Sequence, residues 1–224
     1  MASPALFEGI LFDLDGTLLD TIPDLAEASN AMLAALGRPV RPLEDIRRFV
    51  GKGIPNLVMR CMTDNSQATQ DELIEAEHIF REHYAVINGK HTTFYPAVQE
   101  TLAVLDTRGI PMAVVTNKAE VFTLPLLEQM GIRQHFRAIV GGDSTPHKKP
   151  HPAPLEHACS LLGISPSATL MVGDSANDAE GGYAAGCKVA LLGYGYSENI
   201  PVSQIRCDYR LTTLADLVTL LAAF

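Results

Sequence analysis

The chain has 224 residues, 47% of them apolar, with 17 basic against 26 acidic side chains and a formal charge of −9. That apolar share is enough for a substantial core, in one domain or a domain with an insert, and the acidic balance argues against nucleic acid, so an anionic ligand has to be drawn in by local charge. No apolar run approaches the roughly 18 residues needed to span a bilayer, and Cys61, Cys159, Cys187 and Cys207 lack C-x-x-C spacing, while the histidines lend zinc hydrolase chemistry little support. The N-terminal region has no basic segment and reaches Asp13 quickly, so no secretion signal is expected and the cysteines read as reduced thiols of a cytoplasm.

The first element, Gly9-Ile10-Leu11-Phe12, is a short apolar run closed by Gly16, the pattern of a buried strand entering a tight turn. It delivers Asp13 and Asp15, two residues apart, to the strand's carboxyl end, where open α/β sheets bind ligands. Two carboxylates crowded there repel each other and lose hydration, and a divalent cation would relieve both. Magnesium is the expected ion. The turn can re-aim one side chain, so that one carboxylate attacks phosphorus while the other moves a proton. Gly16 and Thr17 are expected to offer backbone N–H groups, and Thr17 a hydroxyl, to a phosphoryl group.

Next comes a long helical stretch. Pro23 to Leu36, Leu43 to Val50, Ile54 to Met62 and Gln70 to Ile87 carry apolar residues at helical spacing, with Gly51-Lys52-Gly53 between two of them. It is too long for a simple crossover and reads as an inserted domain. After about Phe94, strands expected at 110–116, 137–141, 168–173 and 187–192 alternate with helices, and Leu211, Leu214, Leu217, Val218 and Leu221 form a closing apolar stripe.

Three further stations carry chemistry. Thr116 and Asn117 end a β-branched run, which places the Thr116 hydroxyl and the Asn117 N–H at the same edge as Asp13; read alone, such a pair is more often a helix cap. Lys149 lies in a Pro-rich loop that could hold an ammonium beside a phosphate, although a Lys-Lys pair read alone is usually solvated surface. Asp174 follows the strand Leu170-Met171-Val172-Gly173 as a candidate metal ligand, and Asp178, four residues on, would face the same way to hold a metal-bound water or Lys149, or would simply favour a helix N-terminus.

Asp13-Leu14-Asp15-Gly16-Thr17-Leu18-Leu19-Asp20 resembles the first signature of the haloacid dehalogenase superfamily, and the Thr116, Lys149 and Asp174 stations match the other three in order. The resemblance implies a Rossmann-like parallel sheet between helix layers (residues 1–17 and 94–224) with an inserted all-helical cap (18–93) hinged near 18–21 and 88–94. It implies catalysis by Asp13, Asp15, Thr116 and Lys149. It also implies magnesium on the Asp13 carboxylate, the Asp15 backbone carbonyl and Asp174, with Asp178 behind them, and Gly16, Thr17 and Asn117 binding substrate. The second aspartate of the signature separates the chain from the dehalogenases, which need no acid for a halide, and points to phosphatases and phosphomutases. Within the superfamily the chain is most similar to the phosphoglycolate phosphatases, through Asp20-Thr21-Ile22-Pro23-Asp24-Leu25, Phe49-Val50-Gly51-Lys52-Gly53, Tyr95-Pro96-Ala97-Val98 and Lys148-Lys149-Pro150-His151-Pro152. The partner implied is a small phosphorylated metabolite, 2-phosphoglycolate first. Lys52 is the expected cap contact for its carboxylate, with Arg47, Arg48 and Arg60 competing. A sugar-phosphate phosphatase or phosphomutase, and more remotely a non-catalytic phosphometabolite-binding regulator, are the alternatives.

Overall fold

The computed structural model describes residues 7–63, 68–197 and 200–222. Strands β1 (Gly9–Phe12), β4 (Met112–Val115), β5 (Ala138–Val140), β6 (Thr169–Gly173), β7 (Lys188–Leu192) and β8 (Tyr209–Leu211) form one sheet in the order β5-β4-β1-β6-β7-β8. Every neighbouring pair is parallel. Parallel sheets are covered on both faces, which is why the central strands read as unbroken apolar runs. Ile10 and Phe12 face one cluster, with Leu102 and Leu105 of α5 (Val98–Thr107), Leu126 and Leu127 of α6 (Glu120–Gln129) and Leu217 of α9 (Ala215–Ala222). Leu11, between them, faces the other side with Leu155 and Cys159 of α7 (Ala153–Leu162), and α8 (Ala176–Ala185) covers the neighbouring strands through Ala179.

β1 is the topological centre. Its partners are β4 on one side and β6 on the other, so the loops leaving these three strands open a crevice at their carboxyl ends.

Between β2 (Leu19–Asp20) and β3 (Thr93–Phe94) the chain forms α1 (Ile22–Ala35), α2 (Leu43–Phe49), α3 (Ile54–Met62) and α4 (Gln70–Ile87). These helices have an apolar cluster of their own, including Leu25, Met32, Ile46, Leu57, Phe80 and Tyr84, which Phe122 of α6 and Tyr196 join from the sheet side. Local signals set the helix ends: Pro23 lies in the first turn of α1, and Thr69 and Glu72 form a capping box on α4. Buried Asp24 in the first turn of α1 accepts bonds from the N–H groups of Gly89 and His91, each at 2.8 Å, and from the Thr92 hydroxyl at 2.6 Å. The start of the helical insert is thereby tied to its end.

The two segments expected as hinges pair with each other, Leu19 opposite Phe94 and Asp20 opposite Thr93, in a short antiparallel ribbon. One reading of the sequence needs correction. Leu211 ends strand β8 instead of starting the C-terminal helix. Leu214 and Leu217 then pack on the core while Val218 is only half-buried, so the expected single stripe belongs to a strand, a turn and a helix.

Candidate active site

Asp13 leaves β1 with its N–H bonded to the Val172 carbonyl at 3.0 Å, which fixes it beside the end of β6. The chain then turns tightly around the Leu14 carbonyl, which accepts from Thr17, Leu18 and Leu19. Gly16 sits at φ +93°, and a Cβ there would lie 2.5 Å from Asp174 Oδ2, so both the turn and the approach of the carboxylate require glycine. The turn also corrects an expectation. The Gly16 N–H is bonded to the Leu19 carbonyl at 2.9 Å, the Thr17 N–H to Leu14 at 3.3 Å, and the Thr17 hydroxyl to Asp174 Oδ1 at 2.7 Å. Gly16 and Thr17 therefore shape the loop and hold Asp174, and neither lines the cavity. Among the described residues no acceptor is found for the N–H groups of Leu14 and Asp15, and of these two residues only Asp15 lines the cavity.

Lys149 is brought to Asp13 from the loop after β5. Its Nζ donates to the Val115 carbonyl and Asp178 Oδ1, both at 2.6 Å, and lies 2.9 Å from Asp13 Oδ1. Asn117 holds the Lys149 backbone in place, accepting its N–H at 2.9 Å and donating to its carbonyl at 3.0 Å and to the Gly51 carbonyl at 2.8 Å. The expected phosphate neighbour Asn117 thus also pins the Gly51 loop to the core. Lys149 is buried, which alone would lower its pKa, but Asp13 and Asp178 outweigh burial and raise it.

Asp178 Oδ2 accepts from the Asp174 and Ser175 N–H groups and from the Ser175 hydroxyl, at 3.2, 3.1 and 2.7 Å, closing a capping box on α8. Both of its oxygens are therefore engaged. Oxygens of Asp13, Asp174 and Asp178 lie within 4.8 Å of one another. Burial pushes Asp13 up to about 7, with Lys149 opposing and Asp178 adding to the rise. Burial, with Asp178 and Asp13, likewise holds Asp174 well above the usual carboxylate range. Hard oxygen donors crowded until they resist ionisation suit a divalent cation, which the cluster of Asp13, Asp174 and Asp178 could hold.

Asp15 points elsewhere. Its oxygens lie 3.2 and 3.3 Å from Lys118 Nζ, and Lys118 in turn meets the Tyr84 hydroxyl of α4. Burial, which alone would lower the Lys118 pKa, is outweighed by Asp15 and Tyr84, and the ammonium is held charged. Sequence reasoning missed Lys118, whose single signal was adjacency to Thr116-Asn117. Tyr196 was missed too: its N–H donates to Asp174 Oδ2 at 2.6 Å, and its hydroxyl donates to Asp20 at 2.6 Å and accepts from the Thr21 N–H at 2.8 Å. The signal lay in Gly193-Tyr194-Gly195-Tyr196, since a Cβ on Gly195 would come within 2.3 Å of Asp174 Oδ2.

Asp13, Asp15, Thr116, Asn117, Lys149, Asp174 and Asp178 all line one cavity of about 50 Å³ between the sheet edge and the helical insert, which roofs it with Leu25, Val50, Ile54 and Leu57. Gly51 and Gly53 reach that wall, but the exposed side chain of Lys52 does not. The three arginines lie outside it as well. Arg47 stacks over Tyr196 at 5.4 Å, Arg48 pairs with Asp45 at 3.3 Å, and Arg60 covers the Phe49 ring at 4.9 Å. His147 and His151, four apart in an exposed loop, stack at 4.1 Å and join no metal-ligand cluster among the described residues.

The family model described as haloacid dehalogenase-like hydrolase matches residues 10–192. The chain is 45% identical over 220 residues to a phosphoglycolate phosphatase of Chromobacterium violaceum, covering 96% of each, and 40% identical over 215 residues to one of Thiobacillus denitrificans, covering 95% of each. Among solved structures, a protein described as a "predicted phosphoglycolate phosphatase" from Haemophilus somnus superposes with a TM-score of 0.92 at 35% identity, over 97% of this chain and 99% of that one.

Proposed function

The chain belongs to the haloacid dehalogenase-like hydrolases and is a phosphoric monoester hydrolase, and from that premise we propose that it is a magnesium-dependent phosphatase cleaving 2-phosphoglycolate through a phosphorylated Asp13. The observation that carries this reading is the division of the two signature carboxylates. Asp13 faces Asp174 and Lys149 at the metal-ligand cluster, whereas Asp15 is held apart by Lys118. Groups so separated in environment take separate roles.

Asp13 is the nucleophile. Its carboxylate attacks phosphorus, and the glycolate oxygen leaves with a proton from Asp15. Asp15 then takes a proton from the water that hydrolyses the aspartyl phosphate. Lys149, the Thr116 hydroxyl and the Asp15 N–H steady the charge on the phosphoryl oxygens. Magnesium held by the Asp13 carboxylate, the Asp15 carbonyl and Asp174 would supply positive charge to a phosphoryl oxygen. Residues 18–93 act as the cap that excludes water while the ester is cleaved.

The substrate is supported by the relatives, which are phosphoglycolate phosphatases at 45% and 40% identity over nearly the whole chain. The test is phosphate release from 2-phosphoglycolate, sugar phosphates and pyrophosphate, each with magnesium and with chelator. A metal-dependent kcat/KM highest for 2-phosphoglycolate is expected. A sugar-biased profile would overturn the substrate, and full turnover by Asp13→Asn would overturn the mechanism.

A further inference from the structure

Lys118 is an expensive residue for its place. It is 5% exposed, its backbone is fixed by the Gly142 N–H on its carbonyl at 2.7 Å and by its own N–H on the Thr116 hydroxyl at 3.2 Å, and its ammonium spans from Asp15 in the sheet crevice to Tyr84 on α4. Tyr84 is fully buried and belongs to the helical insert. Its ring stacks on Phe80 at 5.4 Å and tilts against Phe122 of α6 at 5.0 Å, while the Asn88 amide just beyond α4 donates to the Phe122 carbonyl at 2.8 Å. The seat of α4 on α6 therefore fixes where the Tyr84 hydroxyl stands. Neither residue touches the metal-ligand carboxylates Asp13 or Asp174 in the contacts that place them.

We propose that Tyr84 is a positioning residue for proton transfer: through Lys118 it fixes the Asp15 carboxyl at the leaving oxygen only when the helical insert is seated on the core. Asp15 lies on a turn and accepts two bonds from one ammonium, so the direction of its carboxyl follows Lys118. Lys118, on a flexible four-carbon stem, is anchored at its tip by the Tyr84 hydroxyl. Withdrawal of α4 would remove that anchor, coupling water exclusion by the insert to the readiness of the acid. The inference rests on Asp15 being the acid of the proposed function.

The experiment compares single-turnover cleavage of 2-phosphoglycolate, whose alkoxide must be protonated on leaving, with acetyl phosphate, which is also small but whose carboxylate leaves without a proton. Tyr84→Phe keeps the ring and its stacking and deletes the hydroxyl. It is expected to slow 2-phosphoglycolate cleavage about 10- to 100-fold, part of the roughly 10²- to 10⁴-fold that a general acid contributes, to slow acetyl phosphate by less than about 3-fold, and to leave KM within about 2-fold. Equal slowing of both substrates, or none, overturns the proposal, because a residue that only supports packing does not discriminate between leaving groups. Should the Phe variant fail to fold, Lys118→Met, which removes the ammonium that links Tyr84 to Asp15, is read in the same way. Asp15→Asn is the reference: if it fails to discriminate, the acid assignment falls, and if it discriminates while Tyr84→Phe does not, only the positioning role falls.

Discussion

Asp24→Asn tests how the helical insert is held closed on itself. In the native protein Oδ2 accepts from the Gly89 N–H and the Thr92 hydroxyl and Oδ1 from the His91 N–H, all to a carboxylate with no exposed surface. Asparagine keeps the shape but turns one oxygen into an NH₂. In its better orientation the amide oxygen retains Gly89 and Thr92 and the NH₂ meets the His91 N–H, donor against donor. That lost bond leaves a buried donor unpaired, at about 1–3 kcal/mol, and the two survivors fall from charge-assisted to neutral strength, at roughly 0.5–1 kcal/mol each. The sum is about 2–5 kcal/mol, which for a chain of this size lowers Tm by about 4–20 °C. Thermal unfolding followed by circular dichroism reads the total, and hydrogen exchange at the Gly89 and His91 amides locates it. A Tm within about 1 °C of wild type, with both amides still protected, would refute the claim that this carboxylate closes the insert.

Other expectations concern the site. Lys149→Met leaves Asp13 and Asp178 without their cation, so kcat should fall by at least about 100-fold and the metal-free protein should lose about 3–5 kcal/mol; a stable, active variant contradicts the assigned role. For Asp13 the folded pKa, about 7, lies above the ordinary 3.8, so the folded state binds its proton more tightly. The stability this contributes is full below about pH 4 and lost as pH rises through about 7. Melting in chelator should therefore show the protein less stable at pH 8 than at pH 5, with magnesium restoring most of the loss; a flat profile would remove the electrostatic argument for the metal. Lys52→Ala should change KM for 2-phosphoglycolate by less than about 2-fold, because its exposed side chain stays off the cavity wall. A tenfold rise would return Lys52 to substrate binding.

Much of this protein is written locally. The buried strands β1, β4 and β6 are legible because a parallel strand covered on both faces must be apolar throughout, and the residues that break those runs, Asp13, Thr116 and Asp174, are therefore the ones delivered to the sheet edge. Helix α3 is legible from its period and the proline in its first turn, and α4 from its period and capping box. What the local pattern leaves open is partnership across the chain. Gly16 and Thr17 look like phosphate donors until their N–H groups are seen spent on the turn, and Lys52 looks like a ligand until its loop is seen to present glycines instead. Lys118 acquires its role from Asp15, 103 positions away, and Tyr84, 34 away. Sequence periodicity reports which side of an element is apolar, a property of neighbours along the chain. Which buried charge meets which is decided by the packing of separate elements, because a desolvated ammonium or carboxylate is stable only beside the partner that folding brings to it.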